Sequence, residues 1–240
     1  MKTHLVIPCF REATRLPHFL PGLCAAMAKL GGLTVQVVDD GSGENETEAT
    51  RKIVEDLRSS HPALSPLLAL PHNLGKGGAV YAGWDSAPSD VEWLAFVDAD
   101  GSISAREVIR VGETALSSPT SQAFFASRVK MLGRKVDRVF KRHLMGRIYA
   151  TLVSELLRIP VYDSQCGLKI VPAAAYRQIR DRLTLSGFAF DVDLLVQLLR
   201  IGIQVQEVPI DWHEVPGGTI QLVRDSLRMA RDVWTLRRTL

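Results

Sequence analysis

Short apolar runs alternate with longer segments of helical periodicity, and this alternation limits the possible folds more than any other feature of the chain. Runs rich in β-branched and aromatic residues predict strands. The predicted strands are residues 3–8, 34–39, 67–70, 93–98 and 123–127. The predicted helices lie near residues 17–30, 44–60, 76–86 and 104–117. Such alternation predicts an α/β protein with a mainly parallel, twisted sheet and helices on both faces.

The second half of the chain is less regular. It predicts helices over 134–158, 191–201 and 220–238, a strand over 204–210, mixed turn and strand over 163–171, and a loop over 213–219. No linker rich in proline, glycine or serine separates the halves. We therefore expect one domain over residues 1–240, with a sheet-forming half (1–128) and a second half (129–240).

Composition excludes several classes of protein. With 46% apolar and 23% charged residues in 240, the chain is typical of a globular protein. A net charge of +3 does not indicate a nucleic-acid partner, and we expect none. Three cysteines form no disulfide framework, which favours a cytoplasmic setting. The first residues run straight into a predicted strand, so we expect no apolar leader, and no stretch approaches the roughly 20 apolar residues of a membrane span.

Polar segments follow each of the five predicted strands in the first half. They are "PCFREA", "DDGSGE", "PHNLGKGGA", "DADGS" and "SR". Parallel sheets bind ligands beyond the carboxyl ends of their strands. We therefore expect these acidic, glycine-rich and cationic segments to meet at one edge of the sheet.

Two aspartates, Asp98 and Asp100, follow the fourth predicted strand. Two carboxylates placed this close repel each other unless a cation or a hydrogen-bond donor lies between them. Carboxylate oxygens with substrate phosphates suit Mg²⁺ or Mn²⁺. The alternative is a polar turn whose aspartate caps the helix that begins near Ser102 and Ser104.

Two other strand ends carry residues suited to a nucleotide. Asp39 and Asp40 can accept hydrogen bonds from ribose hydroxyls or a base N–H, or can form a turn that caps the next helix. The loop "HNLGKGGAV" has glycines that allow a phosphate to approach the backbone, and Lys76 with the following helix N-terminus favours an anion. It lacks the spacing of a Walker A loop. A plain tight loop is the alternative.

The chain resembles a known family through short blocks that occur in order. They are "VIPCFREATRL", "VVDDGS", "NLGKGGAV", "FVDADGS", "ASR", "DSQCGLKIV", "GFAFDVDLL" and "EVPIDW". The chain is similar to family 2 of the inverting glycosyltransferases, nearest the dolichyl-phosphate β-glucosyltransferase and dolichol-phosphate mannose synthase branch. The resemblance implies a GT-A fold and transfer of a hexose from a UDP- or GDP-sugar to a polyprenyl phosphate, with Mg²⁺ or Mn²⁺ as cofactor.

The resemblance also assigns residues to the donor. Residues 1–128 would bind the nucleotide sugar, and residues 129–240 would bind the acceptor. The donor-side residues implied are Pro8, Phe10, Glu12, Asp40, Lys76, Gly77 and Asp98. Asp100 would coordinate the metal, together with Asp98.

On the acceptor side, Arg128 resembles an arginine that meets the acceptor phosphate. Gln165 and Cys166 would lie near the transferred sugar. Asp191 and Asp193 match an acidic pair beside the acceptor. For a hydroxyl acceptor Asp191 is the candidate general base, and its alternative role is an N-cap of the helix that follows.

A basic stretch, residues 128–147, has apolar residues at roughly helical spacing along one side. A basic amphipathic helix can lie on an anionic membrane, so we expect peripheral association with the inner face of a membrane or with a membrane-protein partner. The alternative is a solvated basic face over a core. Two other functions stay open: the same chemistry on a soluble hydroxyl acceptor, and a nucleotide-sugar-binding scaffold without turnover.

Overall fold

The structure, a computed structural model, describes residues 2–28, 31–137, 150–151, 153–159, 161–217 and 222–239. The strands are β1 (Thr3–Cys9), β2 (Leu33–Asp39), β3 (Leu68–Ala69), β4 (Trp93–Val97), β5 (Gln122–Ser127), β6 (Val136–Asp137), β7 (Leu168–Pro172), β8 (Gln204–Pro209) and β9 (Trp212–His213). The helices are α1 (Leu16–Met27), α2 (Glu44–Arg58), α3 (Lys76–Asp85), α4 (Ala105–Leu116), α5 (Ala173–Ile179), α6 (Phe190–Arg200) and α7 (Leu222–Thr239).

A seven-stranded sheet has the order β3-β2-β1-β4-β7-β5-β8. β1, β2, β3 and β4 run parallel, and β5 pairs in parallel with β8. β7 is antiparallel to both of its neighbours, β4 and β5, so β5 points in the same direction as β4. The carboxyl ends of the first five strands therefore lie at one edge. The expected α/β class and the single polar edge are both confirmed.

The core consists of apolar layers on the two faces of the sheet. On one face Leu5 and Ile7 of β1 pack with residues of α1, α2 and α4. On the other face Val6 packs with residues of α3, α5 and α6. Successive residues of a strand point to opposite faces, so a strand buried on both faces is apolar throughout, as the runs in the sequence are.

Helix α3 lies very close to the sheet because it contains glycine. A Cβ on Gly83 would lie 2.6 Å from Cγ2 of Val6 and 3.0 Å from Cγ2 of Val38. Gly77, in the first turn, has no room for a Cβ beside Phe190 of α6. Gly83 thus allows α3 to pack against β1 and β2, and Gly77 of "LGKGGAV" allows its close contact with α6.

The prediction of one helix over 134–158 is wrong at its start. Val136 and Asp137 form β6, which pairs in parallel with β9. Lys135 donates its backbone N–H to Asp211 Oδ1 at 2.8 Å, and this bond helps to hold the segment extended. Residues 153–157 are helical as expected, and residues 138–149, most of the predicted amphipathic helix, lie outside the described residues.

Other differences are small. Helix α5 was not predicted, and it follows directly from β7. The predicted loop over 213–219 begins with a residue of β9, and residues 218–219 lie outside the described part of the chain. In that described part, no helix combines the length and apolar character needed to cross a bilayer.

We expect Gly83→Ala to lower the free energy of unfolding, because the added methyl collides with Val6 and Val38. Overpacking costs about 1–3 kcal/mol, whereas alanine in a helix interior gains at most about 1 kcal/mol over glycine. Gly112→Ala in α4 is the matched control, because nothing lies within 4 Å of its Cβ position. Urea denaturation should show loss for the first variant and no loss for the control; equal behaviour would contradict the close packing.

Candidate active site

Asp98 lies directly after β4, at the centre of the polar edge. Its carboxylate Oδ1 is 2.7 Å from Nζ of Lys76, the first residue of α3. Its backbone N–H donates to the carbonyl of Gly167 at 2.9 Å. A Cβ on Gly167 would collide with the Asp98 carboxylate, so glycine is required there. The side chain of Asp98 is 29% exposed, so a ligand can still reach it.

Asp100 stands in the turn that follows Asp98. Its Oδ1 accepts the backbone N–H of Ser102 at 2.9 Å, and Gly101 between them has a φ of +74°. The cap of α4 is Ser104, whose Oγ accepts from the N–H of Glu107 at 3.4 Å. Asp100 therefore shapes the turn and does not cap the helix. Asp100 is half-buried at this edge.

The donor set of this edge fits a hard divalent cation. Two aspartates that leave several positions to water and phosphate are typical of Mg²⁺ or Mn²⁺ bound with a nucleotide. Among the described residues, no group of three or more His, Cys, Asp or Glu side chains forms a complete metal cage. Asp98 and Asp100 would therefore hold the ion jointly with substrate oxygens.

Asp40 fixes the glycine-rich loop before α3. Its two carboxylate oxygens accept the backbone N–H groups of Leu74 and Gly75 at 2.7 and 2.9 Å. Burial raises the pKa of Asp40 to about 6, although these two N–H groups oppose the rise. The neighbouring Asp39 has a different role, since it accepts hydrogen bonds from Ser42 and Thr47 at the start of α2. The alternative role considered for these aspartates, a turn that caps the next helix, thus applies to Asp39.

The segment after β1 lies beside the segment after β2. Arg11 has a φ of +57° and donates its backbone N–H to Oγ of Ser42 at 2.9 Å. Its guanidinium carbon is 5.1 Å from the centre of the Phe10 ring. Phe10 and Pro8 are both half-buried at this edge.

Glu12 is buried at the same edge and forms an ion pair with Arg15. Burial raises the pKa of Glu12, Arg15 opposes this rise, and the charges of Asp100 and Asp98 add to it. Glu12 Oε2 is buried and has no hydrogen-bond partner among the described residues. The structure thus brings Glu12 within electrostatic range of the aspartates after β4.

Arg128, at the end of β5, is held by Asp163. Its Nε and Nη2 donate to the two carboxylate oxygens at 2.7 and 2.8 Å, and its backbone N–H donates at 2.9 Å. Burial lowers the pKa of Arg128, but Asp163 outweighs it and keeps the net shift upward, so the guanidinium stays charged. Glu207 in turn accepts the N–H of Asp163 at 2.8 Å. Gln165 donates its own N–H to Asp163 at 3.3 Å, and its buried Nε2 has no partner among the described residues.

Sequence reasoning assigned no role to Asp163, although it stands in a quoted block. The signal available was its place at the start of "DSQCG", a polar segment that leads into β7. Cys166 is completely buried, and its carbonyl accepts a hydrogen bond from Lys169 at 2.7 Å.

Asp191 and Asp193 do not form a pair. Asp193 is buried and accepts the N–H groups of Thr184 and Leu185 at 2.7 and 3.0 Å, so it holds that loop. Asp191, at the start of α6, lies 2.6 Å from Nζ of Lys169 of β7. Burial raises the pKa of Asp191, while the charges of Lys169 and Lys76 oppose the rise. Lys169 was not predicted as a site residue. The sequence signal that could have indicated it is a charged residue inside the apolar run "GLKIV".

We expect the free energy of unfolding to fall between pH 5 and pH 7 partly because of Asp40. Its pKa is about 6 when folded and 3.8 ordinarily, so the folded state holds a proton that the unfolded chain releases. This contribution is complete below about pH 4 and is lost as pH rises through about 6. Urea denaturation at both pH values should show a smaller fall for Asp40→Asn than for the wild type. Asp56→Asn, on the exposed face of α2, is the control, and an unchanged slope in Asp40→Asn would contradict the assignment.

Comparison with known proteins identifies the family. Residues 4–179 match glycosyl transferase family 2. The dolichyl-phosphate beta-glucosyltransferase of Saccharomyces cerevisiae is 30% identical over 246 residues, covering 97% of this chain and 73% of the relative. The protein of the same name from Dictyostelium discoideum is 26% identical, with 97% and 73% covered.

Solved structures share the fold. Glucosyl-3-phosphoglycerate synthase from Mycobacterium tuberculosis, in complex with Mn²⁺, UDP-glucose and phosphoglyceric acid, has a TM-score of 0.67 at 14% identity and covers 100% of this chain and 80% of that chain. Its complex with UDP has a TM-score of 0.65 at 15% identity, covering 99% and 79%. This likeness shows a GT-A fold. The match over residues 4–179 and the 30% identity to a relative along nearly the whole chain show that the protein belongs to glycosyl transferase family 2 and is a glycosyltransferase.

Proposed function

We propose that the protein transfers glucose from UDP-glucose to a polyprenyl phosphate. The observation that carries the proposal is the convergence of Asp98, Asp100 and Lys76 at one sheet edge, with Arg128 after β5 at the same edge. The relatives named above are dolichyl-phosphate beta-glucosyltransferases, and a structure of the same fold holds UDP-glucose with Mn²⁺. Residues 1–128 bind the donor and residues 129–240 contribute most of the acceptor site.

The donor site provides charge compensation for a leaving diphosphate. Pro8, Phe10, Glu12 and Asp40 border the nucleoside, while Lys76 and Gly77 lie along the diphosphate. Asp98 and Asp100 hold Mg²⁺ or Mn²⁺, which when bound neutralises charge that develops on the departing UDP. Fixed charges that face a developing negative charge stabilise the transition state.

The acceptor is already a nucleophile, so no strong general base is needed. An acceptor phosphate oxygen attacks the anomeric carbon, the bond from that carbon to the UDP oxygen breaks, and the configuration inverts. Arg128 orients the phosphate, because Asp163 fixes the plane of its guanidinium. Nε2 of Gln165, which has no partner in the described part of the chain, is a donor suited to a sugar hydroxyl.

A transfer assay tests this function directly. Labelled UDP-glucose, Mn²⁺, polyprenyl phosphate and the wild-type protein should give label in the lipid fraction. Asp100→Asn should fold normally, since the residue lies in a half-buried turn, and should transfer roughly a hundredfold more slowly. Wild-type transfer that is unchanged in EDTA would contradict the metal assignment. Label in a water-soluble product alone would instead establish a soluble acceptor, and UDP binding without any turnover would establish a scaffold.

The acceptor side also carries an apolar loop suited to a membrane surface. Leu132 is 99% exposed and Met131 is 50% exposed in the loop between β5 and β6. The nearby Lys130 and Lys135 are exposed as well. Apolar side chains flanked by lysine suit an anionic bilayer, where each cation contributes about 1 kcal/mol near the surface. We infer that this loop lies on the membrane that contains the lipid acceptor.

We expect the wild type to sediment with anionic vesicles at low salt and to be released by added salt. Replacing Met131 and Leu132 together by serine should lower the partition at least roughly tenfold, because a buried Leu or Met side chain contributes about 1.5–3 kcal/mol. Leu199→Ser is the control, since this exposed residue lies near the start of β8, at the opposite edge of the sheet. Equal partition of the wild type and the double variant would exclude this loop as the contact.

A further inference from the structure

Lys169 is a charged residue in the middle of the sheet. It pairs with Phe96 of β4 and Phe125 of β5, and its side chain is completely buried. Its Nζ lies 5.2 and 4.9 Å from the centres of those two rings, and 2.6 Å from Oδ1 of Asp191. A buried ion pair is often no more stabilising than apolar residues of the same size. Stability alone therefore gives little reason for a lysine at this position.

A second lysine lies on the same aromatic ring. Nζ of Lys76 is 5.4 Å from the centre of Phe96 and 6.0 Å from the centre of Phe190, and it contacts Asp98. Burial lowers the pKa of Lys76, but the charges of Asp98 and then Asp191 outweigh it and raise the pKa overall. Asp191 is therefore within electrostatic range of Lys76 as well as in contact with Lys169.

Asp98 and Asp191 consequently compete for Lys76. Asp98 lies at the polar edge of the sheet, where the donor is proposed to bind, and is 29% exposed. The Asp191 side chain lies inside the core and is 2% exposed. If Asp191 had no other cation, it would attract the Lys76 ammonium inward, because an unpaired buried carboxylate is very unfavourable. The ion pair with Lys169 neutralises Asp191 and removes that attraction.

We propose that Lys169 is a positioning residue that, by holding Asp191, keeps the Lys76 ammonium at the donor edge for the nucleoside diphosphate. The inference rests on the proposed function, because it concerns the donor site of the same reaction. It also gives Asp191 a role that needs no contact with the acceptor. A phosphate acceptor requires no general base, and a carboxylate buried to this extent is poorly placed to serve as one.

A double-mutant cycle between Lys169 and Lys76 tests the proposal. The probe is UDP with Mn²⁺, and its dissociation constant is measured by calorimetry well below the unfolding midpoint of each variant. Lys169→Met should weaken binding about tenfold, in line with loss of one charge-assisted contact. In a Lys76→Met background the same substitution should change the affinity less than about twofold, because the residue through which it acts is gone. Equal losses in both backgrounds would overturn the proposal.

A second variant separates positioning from stability. Lys169→Met/Asp191→Asn removes the competing carboxylate along with the lysine. It should bind UDP and Mn²⁺ at least about threefold more tightly than Lys169→Met, because Lys76 is no longer attracted inward. The double variant is also expected to fold when Lys169→Met does not, since it contains no unpaired buried charge of this pair. Two results would contradict positioning by Lys169. One is a double variant that binds the probe as weakly as Lys169→Met does. The other is a Lys169→Met variant that lowers the unfolding midpoint without changing the affinity for UDP.

Asp193→Asn is the matched control. Asp193 is buried in α6, the helix that also contains Asp191, but its hydrogen bonds hold the loop at Thr184 and Leu185. Its effect on UDP affinity should be the same with Lys76 and with Met at position 76. A wild type that binds UDP and Mn²⁺ but labels no lipid would contradict the proposed function, while the binding cycle would still decide the role of Lys169.

Discussion

Mutual repulsion among carboxylates at one edge of the sheet is the constraint on which the rest of the site depends. Parallel strands bring Glu12, Asp40 and Asp98 to that edge, and Asp163 joins them beside Arg128. Each of these four carboxylates has its own partner. Glu12 has Arg15, Asp98 has Lys76, and Asp40 has the backbone N–H groups of Leu74 and Gly75.

These partners differ in how freely they let a carboxylate contact a ligand. A carboxylate held by backbone N–H groups cannot leave its loop, whereas Lys76 and Asp98 form a pair of side chains, and each of them can contact a ligand. Lys76 suits phosphate oxygens and Asp98 suits a divalent cation. At the pair of Lys76 and Asp98, a ligand that brings phosphate or a cation would replace one ionic contact with another.

The sequence predicted the framework well and the buried electrostatics poorly. The five strands of the first half and their common edge followed from apolar runs and the residues after them, because those signals are local. Lys169 and Asp163 were missed because their meaning depends on partners far along the chain. Asp191 lies 22 residues beyond Lys169, and Arg128 lies 35 residues before Asp163. The extended β6 was missed for the same reason, since the residues that hold it, the Asp211 side chain and the backbone of β9, are far along the chain.

The position of β7 between β4 and β5 has a consequence for how the chain folds. Strand β5 has no hydrogen-bonded neighbour among the strands that precede it, because both of its partners come later. Its pairing with β8 joins residues 82 positions apart, at Gln122 and Gln204. On a ribosome, the apolar β5 segment and the open side of β4 therefore stay unpaired until the segment that contains β7 has emerged. Such delayed closure slows folding and exposes an aggregation-prone edge, so this architecture makes the nascent protein dependent on its own later half.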